Sequence, residues 1–168
     1  MLLTCHPDTP ASTELIVSVE AVRAQRHSLY LRFIIDGDMG RIVMPPRRTL
    51  GRTDELWRTT CCEAFVKPVG RSDYLELNLS PSTAWASYRF DAYREGMRDA
   101  AVEPNFDRVA GIFQALIDLS AEPDLIDADW QLNLTAVIEE VDGAKSYWAL
   151  AHPDGKPDFH DPACFVLD

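Results

Sequence analysis

Long apolar segments are missing from this sequence. No stretch reaches about eighteen consecutive apolar residues, so none predicts a membrane-spanning helix. The first residues, MLLTCHPDTPASTELIV, lack a basic start and a long apolar core, which makes them a poor secretory signal. We therefore expect a cytoplasmic protein with reduced thiols, and a disulfide between Cys5 and Cys164 is the less favoured alternative.

Positive charge is also scarce. The 168 residues include 16 Lys and Arg against 27 Asp and Glu, a formal net charge of −11. Such a surface repels phosphate backbones and anionic lipids, so nucleic acid and membranes are poor partners. A neutral or cationic small molecule is the expected partner, and charge alone does not choose between the two or fix an oligomeric state.

Common catalytic and metal-binding motifs do not occur. The four cysteines form no C-x-x-C pair, which excludes a zinc ribbon, a thioredoxin-like motif and covalent haem attachment through C-x-x-C-H. G-x-S-x-G, H-E-x-x-H and glycine-rich phosphate loops are absent as well. We therefore predict a protein that is not an enzyme.

Short runs of alternating apolar and polar residues make up most of the chain. In Tyr74 to Leu79, three leucines point to one face, and Tyr74, Glu76 and Asn78 point to the other. About nine or ten such runs predict an all-β fold, an antiparallel β-sandwich. We predict one domain over residues 15–168 after a leader or edge segment at 1–14. Residues 91–107 are less regular and predict a helical turn or a long loop.

Three motifs carry a family resemblance. Trp57 lies six residues before Glu63, a Y-x-E-x-N-x-S-P run spans Tyr74 to Pro81, and WALAHPDGKPDFHDPACF spans Trp148 to Phe165. Together they resemble the DOMON-like proteins, the superfamily that includes family 9 carbohydrate-binding modules. The resemblance covers roughly residues 15–168 and implies a ligand-binding sandwich. It leaves two ligand classes open, namely carbohydrate and b-type haem, so the function has to be argued from the site.

The resemblance to the sugar-binding members implies roles for individual residues. Trp57 matches a stacking tryptophan, Glu63 a carboxylate that accepts sugar hydroxyls, and Asn78 a polar strand residue. Phe159, with Trp148 as the alternative, matches the second stacking tryptophan. Glu76 departs from the pattern, because the sugar binders have a basic residue at that position.

The chemistry of these residue types agrees with a sugar ligand. Aromatic faces pack against the C–H face of a pyranose, and carboxylates and amides bind its hydroxyls. The predicted ligand-binding residues are Trp57, Glu63, Asn78, Trp85, Arg89 and Phe159. The plainer alternatives are that both tryptophans pack under loops and that Glu63 forms an ion pair with Arg58 or Arg89.

Several other functions stay open. A b-type haem would need an axial pair such as Met39, Met44 or Met97 with His152 or His160. A dense group of oxygen and imidazole ligands could hold calcium or another divalent ion: His152, Asp154, Asp158, His160 and Asp161. We prefer aspartates that cap backbone N–H groups in this loop. An enzymatic or accessory domain of a cytoplasmic pathway, acting through Glu63 or Glu76, is a further alternative, as is a closed module that only contacts protein.

Overall fold

The alternating runs form strands because each places one set of side chains on a shared apolar face. The computed structural model describes residues 1–167 and contains 12 strands there. They are β1 Thr4–Cys5, β2 Leu15–Gln25, β3 Ser28–Gly37, β4 Gly51–Arg52, β5 Cys61–Pro68, β6 Tyr74–Leu79, β7 Ala84–Phe90, β8 Arg98–Asp99, β9 Asn105–Val109, β10 Ile112–Asp118, β11 Trp130–Glu139 and β12 Lys145–Ala149.

Helical structure in residues 1–167 is confined to single turns. The α-helix α1 spans Pro123–Ile126, and short 3-10 helices span Met39–Arg41, Leu56–Arg58 and Pro162–Cys164. No helix within that range is long and apolar enough to cross a membrane.

Two sheets build the molecule. The larger one has the order β1-β12-β11-β5-β6-β7-β4, with β8 on β7, and the smaller one has the order β2-β3-β10-β9. Every strand pair is antiparallel except β4 with β7. The predicted all-β antiparallel sandwich is thus confirmed.

The main core lies between the sheets. From the larger sheet, the inner face of β6 contributes Leu75, Leu77 and Leu79, all essentially buried. From the smaller sheet, the facing strands contribute Phe33 and Phe113. Burying one such side chain stabilises a fold by roughly 1.5–3 kcal/mol before entropy is counted, so this layer holds the sheets together.

A second apolar layer covers the outer face of the larger sheet. Phe65, Tyr74 and Phe90 point outward from β5, β6 and β7 and are nevertheless buried. Residues 150–167, here called the cover segment, pack onto them through Phe159 and Phe165. Both faces of β5–β7 are therefore enclosed, and the cover segment borders the cavity described below as a candidate site.

Some predicted elements differ from the observed ones. Residues 91–107, predicted as a helical turn or a loop, contain β8 and the start of β9, which pairs with β10. The apolar run Phe165 to Leu167 favours a short closing strand, but it forms a single bridge, from Leu167 to Leu132. Residues 91–107 lack a regular alternation of apolar and polar side chains, so pairing with neighbouring strands decides their conformation.

The first residues join both sheets. Thr4 and Cys5 pair with β12, and the backbone N–H of Leu3 donates to the carbonyl of Val17 on β2 at 2.9 Å. The division of the chain into 1–14 and 15–168 stays a prediction. All four cysteines are free thiols, so the structure contains no bond between Cys5 and Cys164.

Candidate ligand-binding site

A cavity of about 330 Å³ opens on the outer face of the larger sheet, beside the cover segment. Its lining combines aromatic rings with buried acids. The lining residues are Trp57, Glu63, Glu76, Phe90, Arg94, Met97, Val137, Tyr147, Pro157, Phe159 and His160. A recess of this size with mostly apolar walls and a few polar groups is typical of a small-molecule site.

Two glutamates come from the sheet itself. Glu63 on β5 lies opposite Asn78 on β6, and Glu76 lies opposite Phe65, so the two acids are diagonal neighbours. The hydroxyl of Thr135 donates to one Glu63 oxygen, Oε2, at 3.3 Å. The other oxygen, Oε1, is buried and has no hydrogen-bond partner. A buried acceptor of this kind costs free energy unless a partner satisfies it, and a ligand in the cavity could do so.

Burial changes the protonation of both acids. It raises the pKa of Glu76 to about 7, although Asn78 Nδ2 donates to Glu76 Oε1 at 2.6 Å and opposes the change. Burial, followed by the charge of Glu76, holds the pKa of Glu63 well above its usual range. Near neutral pH Glu76 is therefore partly protonated, and Glu63 keeps its proton to a higher pH than an exposed glutamate does. A protonated carboxyl both donates and accepts hydrogen bonds.

His160 closes one side of the cavity. Its Nδ1 lies 2.8 Å from the hydroxyl of Tyr74, and its Nε2 lies 3.9 Å from Glu76 Oε2. Burial lowers the pKa of His160 to about 4, so the ring is neutral at physiological pH. The imidazole therefore adds a polar edge to the cavity without adding charge.

Trp57 forms part of the rim. It lies on the 3-10 helix Leu56–Arg58, which Leu56 anchors in the outer apolar layer, and the indole remains 36% exposed. The indole meets Tyr88 edge-on with ring centres 6.2 Å apart. Glu55, directly before the helix, has a φ of 60°, which is uncommon for a residue with a side chain. Backbone strain of this kind is concentrated at functional sites.

Phe159 is held from two sides. Its ring centre lies 5.9 Å from that of Tyr147, and Asn133 Nδ2 donates to its backbone carbonyl at 2.8 Å. The ring is largely buried yet lines the cavity. Trp148, the alternative stacking residue, instead packs between the sheets.

The structure brings three of the six predicted binding residues to the cavity wall. Trp57, Glu63 and Phe159 line it, and Asn78 lies directly behind, bonded to Glu76. The structure does not bring the remaining two, Trp85 and Arg89, to this cavity.

Trp85 and Arg89 occupy the opposite face of the sheet. Trp85 packs in the core between the sheets, and Arg89 pairs with Asp73 at 2.5 Å and Glu122 at 3.6 Å. The prediction that Trp85 and Arg89 lie in one site with Glu63 is therefore corrected. Alternation along β7 points both side chains to the face opposite Glu63 and Glu76.

Other lining residues were not predicted to bind a sugar. Glu76 was noted as a departure from the family pattern and as a residue of a possible enzyme, and His160 as a possible haem or metal ligand. Tyr147 could have been found from strand register, since it lies opposite Val137 on β11 and both point outward. Arg94 and Met97 belong to the irregular segment after β7, and no periodic signal predicts their position.

The proposed metal ligands do not converge. Asp158 Oδ1 accepts the backbone N–H of His160, and Asp161 Oδ1 accepts that of Ala163, so both cap backbone donors. The Nε2 of His152 donates to the carbonyl of Thr4 at 2.8 Å, away from the cavity, and Asp154 is exposed. Among residues 1–167 no group of three or more such side chains is placed to hold a metal ion.

The cavity does not fit a haem. Met97 and His160 both line it, whereas Met39 and Met44 pack against the core between the sheets. The Nε2 of His160 lies near Glu76, and two buried carboxyls form the adjoining surface. An apolar macrocycle would leave those carboxyls without partners, which is unfavourable.

The molecule is therefore a two-sheet antiparallel sandwich with a lined cavity on the outer face of its larger sheet. No protein-family model matches the sequence, and no curated protein matches it either. A solved structure of a proposed carbohydrate-binding protein from Bacteroides uniformis ATCC 8492 has a similar fold, with a TM-score of 0.60. The two chains are 16% identical, and the match covers 95% of this chain and 79% of the other. At this identity the likeness shows the fold alone.

Proposed function

We propose that this protein is a non-enzymatic module that binds a carbohydrate or a similar polyhydroxylated small molecule in the cavity. One observation carries the proposal. Aromatic rings and a buried carboxyl oxygen without a partner line the same recess, at Trp57, Phe159 and Glu63.

The two kinds of lining group match the two kinds of surface on a sugar. The apolar C–H face of a pyranose packs on an aromatic ring, as Trp57 and Phe159 allow. Hydroxyls at the ring edge are donors and acceptors, which the carboxyls of Glu63 and Glu76 can satisfy. The fold shared with the Bacteroides uniformis protein and the resemblance to family 9 carbohydrate-binding modules both support this ligand class.

The proposal is tested with a glycan screen followed by calorimetry on the best ligand. Trp57→Ala should weaken that ligand about tenfold or more, because it removes a stacking surface at the rim. Tyr30→Ala is the control, since Tyr30 is a partly exposed aromatic residue on β3 of the other sheet. Full affinity in Trp57→Ala, or a screen in which no carbohydrate binds, would overturn the proposal.

A hydrolytic function is the second candidate. It is favoured by two buried glutamates in one cavity, one of which has a pKa of about 7, as general acid–base chemistry requires. Incubating the protein with the best ligand of the glycan screen distinguishes a binding module from a hydrolytic enzyme. A binding module returns it chemically unchanged after prolonged incubation, whereas an enzyme cleaves it and loses that activity in Glu63→Gln and Glu76→Gln.

A further inference from the structure

The charges around the cavity do not balance locally. The lining contains two acids, Glu63 and Glu76, and one permanent cation, Arg94. Arg94 already pairs with Asp158 at 2.8 Å, and Asp158 also accepts the hydroxyl of Tyr93 at 2.5 Å. His160, the remaining basic side chain of the lining, is held neutral by burial, which lowers its pKa to about 4. When they are ionised, Glu63 and Glu76 are therefore the lining residues that have no ion pair with a permanent cation.

Glu63 needs a donor that the described protein does not supply. The residue is 3% exposed, its Oε1 has no partner, and its Oε2 has only a 3.3 Å bond from Thr135. A hydroxyl could satisfy Oε1, but a charged donor forms a hydrogen bond to a carboxylate roughly twice as strong. An ammonium group in the cavity favours the ionised form of Glu63 and would therefore satisfy Oε1 more strongly than a hydroxyl would.

The aromatic lining favours a cation as well. Trp57, Phe90, Tyr147 and Phe159 all contribute rings to the cavity. The face of an aromatic ring attracts a cation, and several rings around one recess are used to recognise ammonium ligands. The aromatic rings and the acids of the lining therefore both favour a ligand with a positively charged group.

We propose that the ligand is an amino sugar, whose hydroxylated ring packs on the aromatic lining while its protonated amine binds at Glu63 and Glu76. This inference rests on the proposed carbohydrate-binding function and narrows its ligand class. No covalent step is involved.

Binding of the ammonium group is coupled to protons. The titratable and polar groups around Glu76 come from several elements: Glu63 on β5, Asn78 on β6, Tyr88 opposite it on β7, Arg94 after β7 and His160 in the cover segment. An ammonium beside the two acids favours their ionised forms, so binding expels protons from them. Affinity for an amino sugar should rise between pH 5.5 and pH 7, as Glu76 loses its proton.

Calorimetry at pH 7 with matched monosaccharides tests the inference. The probes are glucosamine and galactosamine, each compared with its neutral parent and its N-acetyl form. In at least one series the amino sugar should bind about tenfold tighter than both of its neutral counterparts. If neutral or N-acetylated sugars bind as tightly in both series, the amino-sugar inference fails and carbohydrate binding stands. If no sugar binds, both proposals fail.

Glu63→Gln separates charge from shape. Glutamine is nearly isosteric but uncharged, so the ratio of affinities for the amino sugar and its neutral parent should fall to about one, whatever the variant does to the affinity for the neutral parent. Glu20→Gln removes the same charge from an exposed position on β2 of the other sheet and should leave the preference intact. A preference that survives in Glu63→Gln would overturn the inference.

Discussion

Glu76 carries a carboxyl group whose proton affinity is set by its surroundings. Buried on β6 in the wall of the cavity, it has a pKa of about 7, whereas the usual value is 4.5. Asn78, which donates to it, and the nearby Arg94 both lower the pKa, but burial has the larger effect. The same residue on an exposed strand would be an ordinary solvated acid.

The raised pKa of Glu76 predicts a pH-dependent stability. A folded pKa above the unfolded one means that the folded state holds the proton more tightly, so stability is lost as pH rises from about 4.5 to about 7. Glu76→Gln removes this dependence, and we expect its melting temperature relative to wild type to rise across that window by roughly 5–10 °C.

Thermal unfolding at pH 4.5, 6 and 7.5 measures the difference between the two proteins. Glu20→Gln, on an exposed strand position, controls for the change in net charge. An offset between wild type and Glu76→Gln that stays constant over the whole range would show that Glu76 does not titrate in it.

Residue-level prediction from sequence was limited by the missing strand register. Trp57 and Trp85 carry the same side chain, and both were expected at one site. The pairing of Asn78 with Ala86 shows that Trp85 must point away from Asn78, into the core. Alternation within each strand was predicted correctly, but the relation between neighbouring strands was not used.

At the level of elements, the cover segment decides whether a cavity exists. Residues 150–167 contain no strand, and they close the outer face through Phe159, His160 and Phe165. The Tyr74 hydroxyl bonds to His160 at 2.8 Å. The Tyr74 ring stacks on Phe90 of β7 with centres 4.9 Å apart and meets the Phe165 ring of the cover segment edge-on with centres 5.7 Å apart. One hydrogen bond and one aromatic contact, both made by Tyr74, thus hold the cover segment on β6.

Tyr74→Phe should loosen the cover segment while leaving the sheets intact. The ring stays, so the stacking on Phe90 is retained, but the hydroxyl that bonds His160 is lost at a cost of about 1 kcal/mol. We expect faster amide hydrogen exchange around residues 158–165 and unchanged exchange in β6 and β11. Tyr30→Phe, a partly exposed position on β3, is the matched control. Equal exchange in wild type and Tyr74→Phe would show that the hydroxyl does not anchor the segment.

Strands with a clear alternation of apolar and polar residues were predicted well, and strands with few buried residues were predicted poorly. The bounds of β6 agree at both ends, because each of its six residues follows the alternation. β9 was missed because Phe106 is its only buried residue, and five residue pairs with β10 define it. Where a segment has little apolar surface, backbone pairing with a neighbour decides its structure.

At the scale of the whole molecule, stability depends on the layer between the two sheets. Leu77, at the centre of β6, is completely buried there. Leu77→Ala should lower the free energy of unfolding by about 2–5 kcal/mol, because it removes buried contacts and leaves a cavity. Leu116→Ala, on the outward side of β10 where the side chain is 49% exposed, should change it by less than about 0.5 kcal/mol.

Urea denaturation followed by tryptophan fluorescence measures both variants. A lower midpoint with an unchanged slope would show lost stability at constant exposed surface. Similar midpoints for the two variants would contradict the assignment of the core to the space between the sheets.

The sequence by itself determined the all-β class, most strand positions and the direction of each side chain within its strand. These are local properties, since a period of two fixes alternate faces wherever the chain is extended. Only the tertiary structure decided the order of the strands, the face on which the cavity lies, and the meeting of Glu63 and Glu76 with rings from distant segments. Those features depend on contacts between residues far apart in the chain, which no local periodicity encodes.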